Sequence, residues 1–122
     1  MRIKTKLLYH GTTDRYHQMQ VQDFGVYEHN QEGKRVDLDN YPETPMGYAV
    51  QRSGQYNKSN PILLVINASK VDSNLKWNPV ISCDYLKPEW YKILNIKLEN
   101  GKASIDSFKE LKELEKLVLE IK

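Results

Sequence analysis

The residues best suited to chemistry lie near the start of the chain, in Leu8-Tyr9-His10-Gly11-Thr12-Thr13. Ile3, Leu7 and Tyr9 place apolar groups on one parity, so residues 3–9 are expected to form a strand ending at His10-Gly11. A histidine at a strand end, followed by glycine and two hydroxyl side chains, makes a small polar notch. Glycine lets a ligand approach the backbone closely, and the imidazole and hydroxyls supply donors and acceptors around that point. Two readings of the notch stand: a ligand site, or a strand-end turn in which His10 bonds a neighbouring carbonyl. Arg15 and Arg52 are candidates to engage a phosphate, against the plain alternative of solvated surface charge. Cys83 offers a thiol with His10 as its base, but no glycine elbow flanks it, and a small core thiol is the default. His17 and His29 lack metal-ligand spacing, and Asp37-Leu38-Asp39 lacks the glycine and terminal glutamate of a calcium loop. No metal site is expected.

The elements that position these groups come from a chain of 122 residues, 39% apolar and 28% charged, with a net charge of +2. That length fits one domain over residues 1–122. The longest apolar run is Ile62-Leu63-Leu64-Val65-Ile66, far short of the roughly 20 residues a membrane span needs. The basic start is followed by only Leu7 and Leu8, too little for a secretory signal, so a cytoplasmic protein is expected. A lone cysteine excludes an internal disulfide framework and any CxxC motif. Charge is balanced in both halves, which argues against broad coating of nucleic acid and leaves room only for a short local contact.

Asp14 is positioned to cap a helix over residues 15–20, and Gly25 and Gly33 then break the periodicity. Two short extended pieces are expected around residues 25–27 and 35–38. Asn40-Tyr41-Pro42-Glu43-Thr44-Pro45 opens a helix over 43–53 with Met46, Ala49 and Val50 inward and Gly54 at its end. Pro61 launches a buried strand over 62–66, and further strands are expected near 80–86 and 91–98, with a turn at Asn100-Gly101. Ser107-Phe108-Lys109-Glu110 reads as a capping box opening an amphipathic helix over 107–121. Its apolar positions are Phe108, Leu111, Leu114, Leu117, Val118 and Ile121. That helix packs on the sheet or forms a dimer seam, giving a monomer or a weak homodimer. Strands interleaved with two or three helices indicate an α+β fold with a small mixed or antiparallel split sheet, because a doubly wound fold needs a helix between most strands.

Tyr9-His10-Gly11-Thr12 resembles the first motif of the His-type ADP-ribosyltransferases, the group of diphtheria toxin and the poly-ADP-ribose polymerases. Gly47-Tyr48-Ala49, after Val36-Asp37-Leu38, resembles the helical half of the second motif. Cys83-Asp84-Tyr85-Leu86, followed by Lys87-Pro88-Glu89-Trp90, is similar to the third. The resemblance covers residues 7–96 and implies an ADP-ribosyltransferase-like fold with NAD as substrate. It implies that His10 bonds the adenosine ribose and that the Gly11 backbone grips the nicotinamide carboxamide. Thr12 and Arg52 complete the NAD-binding set. Tyr48 flanks the nicotinamide ring, and Asp84 is the acid that bonds the nicotinamide ribose. Two positions depart from the family pattern: Asp37 stands where the strand tyrosine belongs, and Asp84 replaces a glutamate. Tyr27, Tyr41 and Tyr56 are the candidates for a replacement aromatic. Cleaving the nicotinamide–ribose bond passes through an oxocarbenium-like transition state. That step calls for an aromatic slot, an anchor on the far ribose and a carboxylate near the developing charge; His10, Tyr48 and Asp84 have the matching chemistry. The resemblance therefore implies an NAD-dependent ADP-ribosyltransferase or NAD glycohydrolase, acting on a protein or nucleic-acid acceptor or on water. The departures at Asp37 and Asp84 keep open an inactive module on the same scaffold that docks a nucleotide, a nucleic-acid end or a protein partner.

Overall fold

A computed structural model describes residues 5–28, 35–55, 59–76 and 80–122. Ile3, His29, Gly33 and Tyr56, which the sequence reading singled out, lie outside these residues. The first strand, β1 (Leu7–Thr13), does not end at His10-Gly11 but runs through the notch. The cause is its neighbour: β3 (Pro61–Asn67) pairs antiparallel with it along its whole length, from Leu7 opposite Asn67 to Thr13 opposite Pro61.

Thr13 then caps the first helix, α1 (Asp14–Phe24), its Oγ1 accepting the Tyr16 N–H at 3.3 Å. The cap thus falls one residue before the expected Asp14, and the helix runs past the expected residue 20. Asp14 instead clamps the start of α1 to the start of β3. Its Oδ1 and Oδ2 accept the Asn60 backbone and side-chain N–H groups at 2.8 and 2.9 Å, and its own N–H donates to the Asn60 carbonyl at 2.9 Å. Burial raises the Asp14 carboxyl, but the Asn60 hydrogen bonds, with the Arg15 backbone N–H and the Arg15 charge, together outweigh it and hold the group below its ordinary 3.8. Gly25, at φ 75°, closes α1 with its N–H on the Val21 carbonyl.

Of the two expected short extended pieces, the one around 35–38 is present, whereas 25–27 gives only an isolated bridge at Tyr27, because Gly25 closes α1. Tyr27 pairs with Leu86, and β2 (Val36–Asp37) pairs with β4 (Ser82–Cys83). The strand expected near 80–86 is reduced to β4 because its residues divide their backbone bonds among three segments, around Lys76, around Val36 and at Tyr27. Tyr9 and Asp39 exchange backbone hydrogen bonds of 2.9 and 3.0 Å, stitching the β2 segment to the free edge of β1.

Helix α2 (Glu43–Gln55) continues through Gly54, which takes no positive φ and so does not stop it. Met46 and Ala49 are buried as expected, and Val50 is half-buried. After β3 come the single-turn helix α3 (Ala68–Val71), β4 and β5 (Tyr91–Asn95), which pairs with the other side of β3. The expected strand 91–98 is cut short. Asn100 and Gly101, at φ 54° and 77°, fold β6 (Leu98–Glu99) onto β7 (Lys102–Ala103) in a separate hairpin, leaving Leu98 exposed.

The last helix, α4 (Ile105–Leu119), begins two residues before the expected start. Ser104 is its cap, with Oγ accepting the Ser107 N–H at 3.2 Å. Ser107 is buried inside the first turn, where its Oγ accepts the Lys97 N–H at 2.7 Å and donates to the Lys97 carbonyl at 3.1 Å. Leu111 and Val118 are buried and Leu114 and Ile121 half-buried, whereas Phe108 and Leu117 face outward.

The architecture is α+β: among the described residues it has an antiparallel sheet in the order β1-β3-β5, a two-stranded β2-β4 piece, a β6-β7 hairpin and four α-helices. The central strand β3 is buried at every residue because both faces of the sheet are covered. Ile62, Leu64 and Ile66 join one core with Tyr27, Val36, Leu38 and Leu86. Leu63 and Val65 join a second with Met46, Ala49, Leu111 and Val118, beneath α2 and α4. Among the described residues, no helix is long and apolar enough to cross a membrane.

Candidate functional site

An open cleft of about 1250 Å³ lies along the second half of β1. Its floor is residues 10–13. One wall is a single face of α1, with Arg15, Gln18, Met19 and Gln22 at helical spacing. The opposite wall is a face of α2 carrying Thr44, Pro45, Tyr48 and Arg52. The β2 segment closes one end. Its sequence, Arg35-Val36-Asp37-Leu38-Asp39, alternates, with Val36 and Leu38 buried in the core. Arg35, Asp37 and Asp39 alternate with them in sequence, and these three line the cleft together with Leu38.

His10 is almost fully buried, at 6% exposure, and both ring nitrogens have protein partners. Nδ1 lies 2.7 Å from the Asp37 carbonyl oxygen, which can only accept, so Nδ1 carries a proton. In the neutral ring Nε2 then accepts from the Tyr27 hydroxyl at 2.8 Å. Burial pushes the Tyr27 hydroxyl far above the ordinary tyrosine range, so it remains a protonated donor. The Thr12 side chain bonds the same hydroxyl. Behind this pair, His17 stacks on the Tyr27 ring at 5.7 Å and shares a 2.7 Å hydrogen bond with the Tyr91 hydroxyl. Tyr16 meets Tyr27 edge-on at 5.9 Å. The notch is thus backed by a packed layer of rings that fixes the imidazole plane.

Gly11 has a different reason to be glycine than the one expected. A Cβ at this position would lie 1.8 Å from the Pro45 carbonyl oxygen, so the space is filled by the first turn of α2 rather than kept for a ligand. Gly11 is what lets α2 lie directly against β1.

His10, Gly11, Thr12, Tyr48 and Arg52, named from the sequence, do converge in this one cleft, and Arg15 joins them. Tyr48 is half-exposed, with the Arg52 guanidinium 5.8 Å from its ring centroid. Asp84 does not join them. Its side chain is 58% exposed and paired with the Lys76 ammonium at 3.0 Å, outside the residues that line the cleft. Although β2-β4 pairing brings Cys83 opposite Val36, Asp84 lies one residue beyond the paired segment. Cys83 is fully buried and its thiol is pushed up to about 12 by burial, reinforced by the Asp84 charge, so it is the core thiol and not a nucleophile. Of the replacement aromatics, Tyr27 reaches the cleft, while Tyr41 is 71% exposed and outside it.

Arg35, Gln18, Met19 and Gln22 are not expected at the site from the sequence, where Asp37 enters only as a departure from the family pattern and Asp37 and Asp39 as part of an incomplete calcium loop. Nothing in the sequence marks which face of α1 meets β1. Among the described residues, no group of three metal-ligating side chains is present. Three guanidiniums around the cleft suit bidentate capture of phosphate oxygens, the tyrosine suits a flat ring, and the carboxylates suit hydroxyl groups or positive charge. Comparison with protein-family models, curated proteins and solved structures gives no match to this chain.

Proposed function

We propose that the cleft binds NAD and that the protein is ADP-ribosyltransferase-like, moving ADP-ribose to a protein or nucleic-acid acceptor or to water. The observation that supports this reading is the convergence of His10, Gly11, Thr12, Tyr48 and Arg52, separated by up to 42 positions in the chain, around one cleft that also holds Arg15 and Arg35. Arginines meet the pyrophosphate and Tyr48 flanks the nicotinamide ring. In the reaction, the bond between nicotinamide nitrogen and ribose C1′ breaks and nicotinamide leaves with the electron pair. An acceptor oxygen or nitrogen then bonds C1′ and releases its proton to solvent. A cytoplasmic protein, monomeric or weakly dimeric, belongs to the same reading.

The placement of Asp84 favours a second reading, in which the same cleft binds the nucleotide without turnover. Titration calorimetry with NAD and ADP-ribose, run beside an assay for released nicotinamide, separates the two. Binding that falls about tenfold in Arg52→Gln, together with nicotinamide release, supports the transferase. Binding without release supports the docking module. Wild-type protein that binds neither compound at millimolar concentration overturns both.

A further inference from the structure

We infer that the outer edge of β5 is the contact through which two copies of this chain pair, β5 against β5 and antiparallel, about a two-fold axis at Ile93. No residue of β5 lines the cleft, so the inference goes beyond the NAD reading and stands independently of it.

The two edges of the sheet differ. The β1 edge is covered where Tyr9 and Asp39 exchange backbone hydrogen bonds. β5 pairs with β3 on one side, and among the described residues no strand pairs with its other side. Alternation of the ladder identifies the groups that face outward. Because Tyr9 turns its N–H and C=O toward Asp39, Leu8, His10 and Thr12 are the residues that bond β3, which leaves Leu63 and Val65 to bond β5. Their partners are Leu94 and Lys92, and the Ile96 N–H continues the series on the Pro61 carbonyl at 3.1 Å. The backbone groups of Tyr91, Ile93 and Asn95 therefore point away from the sheet. The Tyr91 N–H is taken by the Pro88 carbonyl. The edge lacks the devices that keep strands apart: it contains no proline, and its register with β3 runs without a bulge. Ile93 also leaves 40% of its surface exposed.

A second copy of the chain fits this edge. With Ile93 opposite Ile93 of the second copy, all of β5 overlaps. The two Ile93 residues exchange both backbone hydrogen bonds, and each Asn95 N–H meets the Tyr91 carbonyl opposite, the one group of Tyr91 still open. Lys92, the only charged residue of β5, then lies opposite Leu94. A register with Tyr91 opposite Ile93 instead sets the two Lys92 side chains against each other, which like charges disfavour. Charge and hydrogen bonding thus select the same register. The product is one continuous sheet in the order β1-β3-β5-β5-β3-β1, with α4 of both copies on the same face.

Sedimentation velocity from about 10 μM to about 1 mM should show the wild type passing from monomer to dimer, as suits an interface below the standard size. Ile93→Lys sets like charges opposite each other and should raise the dissociation constant about tenfold. In dilute solution its monomer should melt at the wild-type temperature, because the side chain is exposed. Ile93→Cys should give a disulfide-linked dimer under a mild oxidant, since the paired Cα atoms lie about 5.5 Å apart. Asn95→Cys should not, because its counterpart lies about 13 Å further along the strand. A wild type that remains monomeric at about 1 mM overturns the inference. So does a dimer that Ile93→Lys leaves intact and Leu117→Lys dissociates, which places the seam on the exposed side of α4. Linkage through Asn95→Cys and not through Ile93→Cys overturns the register and the two-fold axis at Ile93 with it.

Discussion

The imidazole of His10 and the missing side chain of Gly11 act on opposite sides of one strand, and each is fixed by a neighbour distant in sequence. A methyl group at residue 11 has to displace the backbone of Pro45, with no flexible side chain there to give way. Gly11→Ala is therefore expected to destabilise the fold by at least about 2 kcal/mol, the scale of forced overpacking, which a urea melt measures. Its loss of ligand binding would follow from displacement of α2, and so would be accompanied by a lower melting temperature. His17 offers a cleaner titration. Burial holds its folded-state pKa below 6.5, so the unfolded chain takes up this proton at a higher pH than the folded protein does. The stability contribution is whole above pH 6.5 and is lost as the pH falls below it toward the folded value. Stability measured by denaturant melts from pH 7.5 down to 5 should fall, and His17→Gln should flatten that fall. An unchanged slope in the variant would assign the acid sensitivity to other groups.

Element boundaries were set by polar groups with partners elsewhere in the fold. The two serines at the head of α4 show how. Ser104 satisfies the Ser107 N–H as a cap, while Ser107 is drawn inside to bond both backbone groups of Lys97. Either residue begins a plausible capping sequence, and only the proximity of Lys97 decides which one is the cap. Ser104→Ala should cost about 1 kcal/mol, as loss of an N-cap does. Ser107→Ala should cost more, since it leaves the Lys97 N–H without its partner and empties a fully buried position. Thermal melts of the two variants rank them directly; equal shifts would contradict the assignment. The same logic placed Thr13 as the cap of α1: Asp14 is held by Asn60, a residue that local pattern cannot associate with it.

At the scale of the whole molecule, the cleft is a seam between two layers. α2 lies on the sheet face that shares a core with α4, while the β2 segment joins the opposite core and the edge of β1. The net charge of +2 hides the local balance, in which Arg15, Arg35 and Arg52 line the same cleft as Asp37 and Asp39. Binding of a pyrophosphate there should weaken with added salt, though with a shallow slope, because only a few charges take part. Titrations with NAD at about 50 and about 500 mM salt, which shorten the Debye length from about 14 Å to about 4 Å, would show it. A steep slope, of the size that release of many counterions gives, would contradict binding of NAD through a few charges.

Short-range periodicity and turn chemistry carry the α+β class, the buried strand over 62–66, the helix at 43–53 and the hairpin turn at Asn100-Gly101. Tertiary structure decided the rest. It removed Asp84 from the cleft by pairing it with Lys76, and turned both nitrogens of His10 toward Asp37 and Tyr27. It gave Gly11 a packing role and brought Arg35, Asp37 and one face of α1 to the cleft. The physical reason is common to all of these: a side chain's partner is set by which segments share a layer, and hydrophobic burial on both faces of β3 fixes those layers.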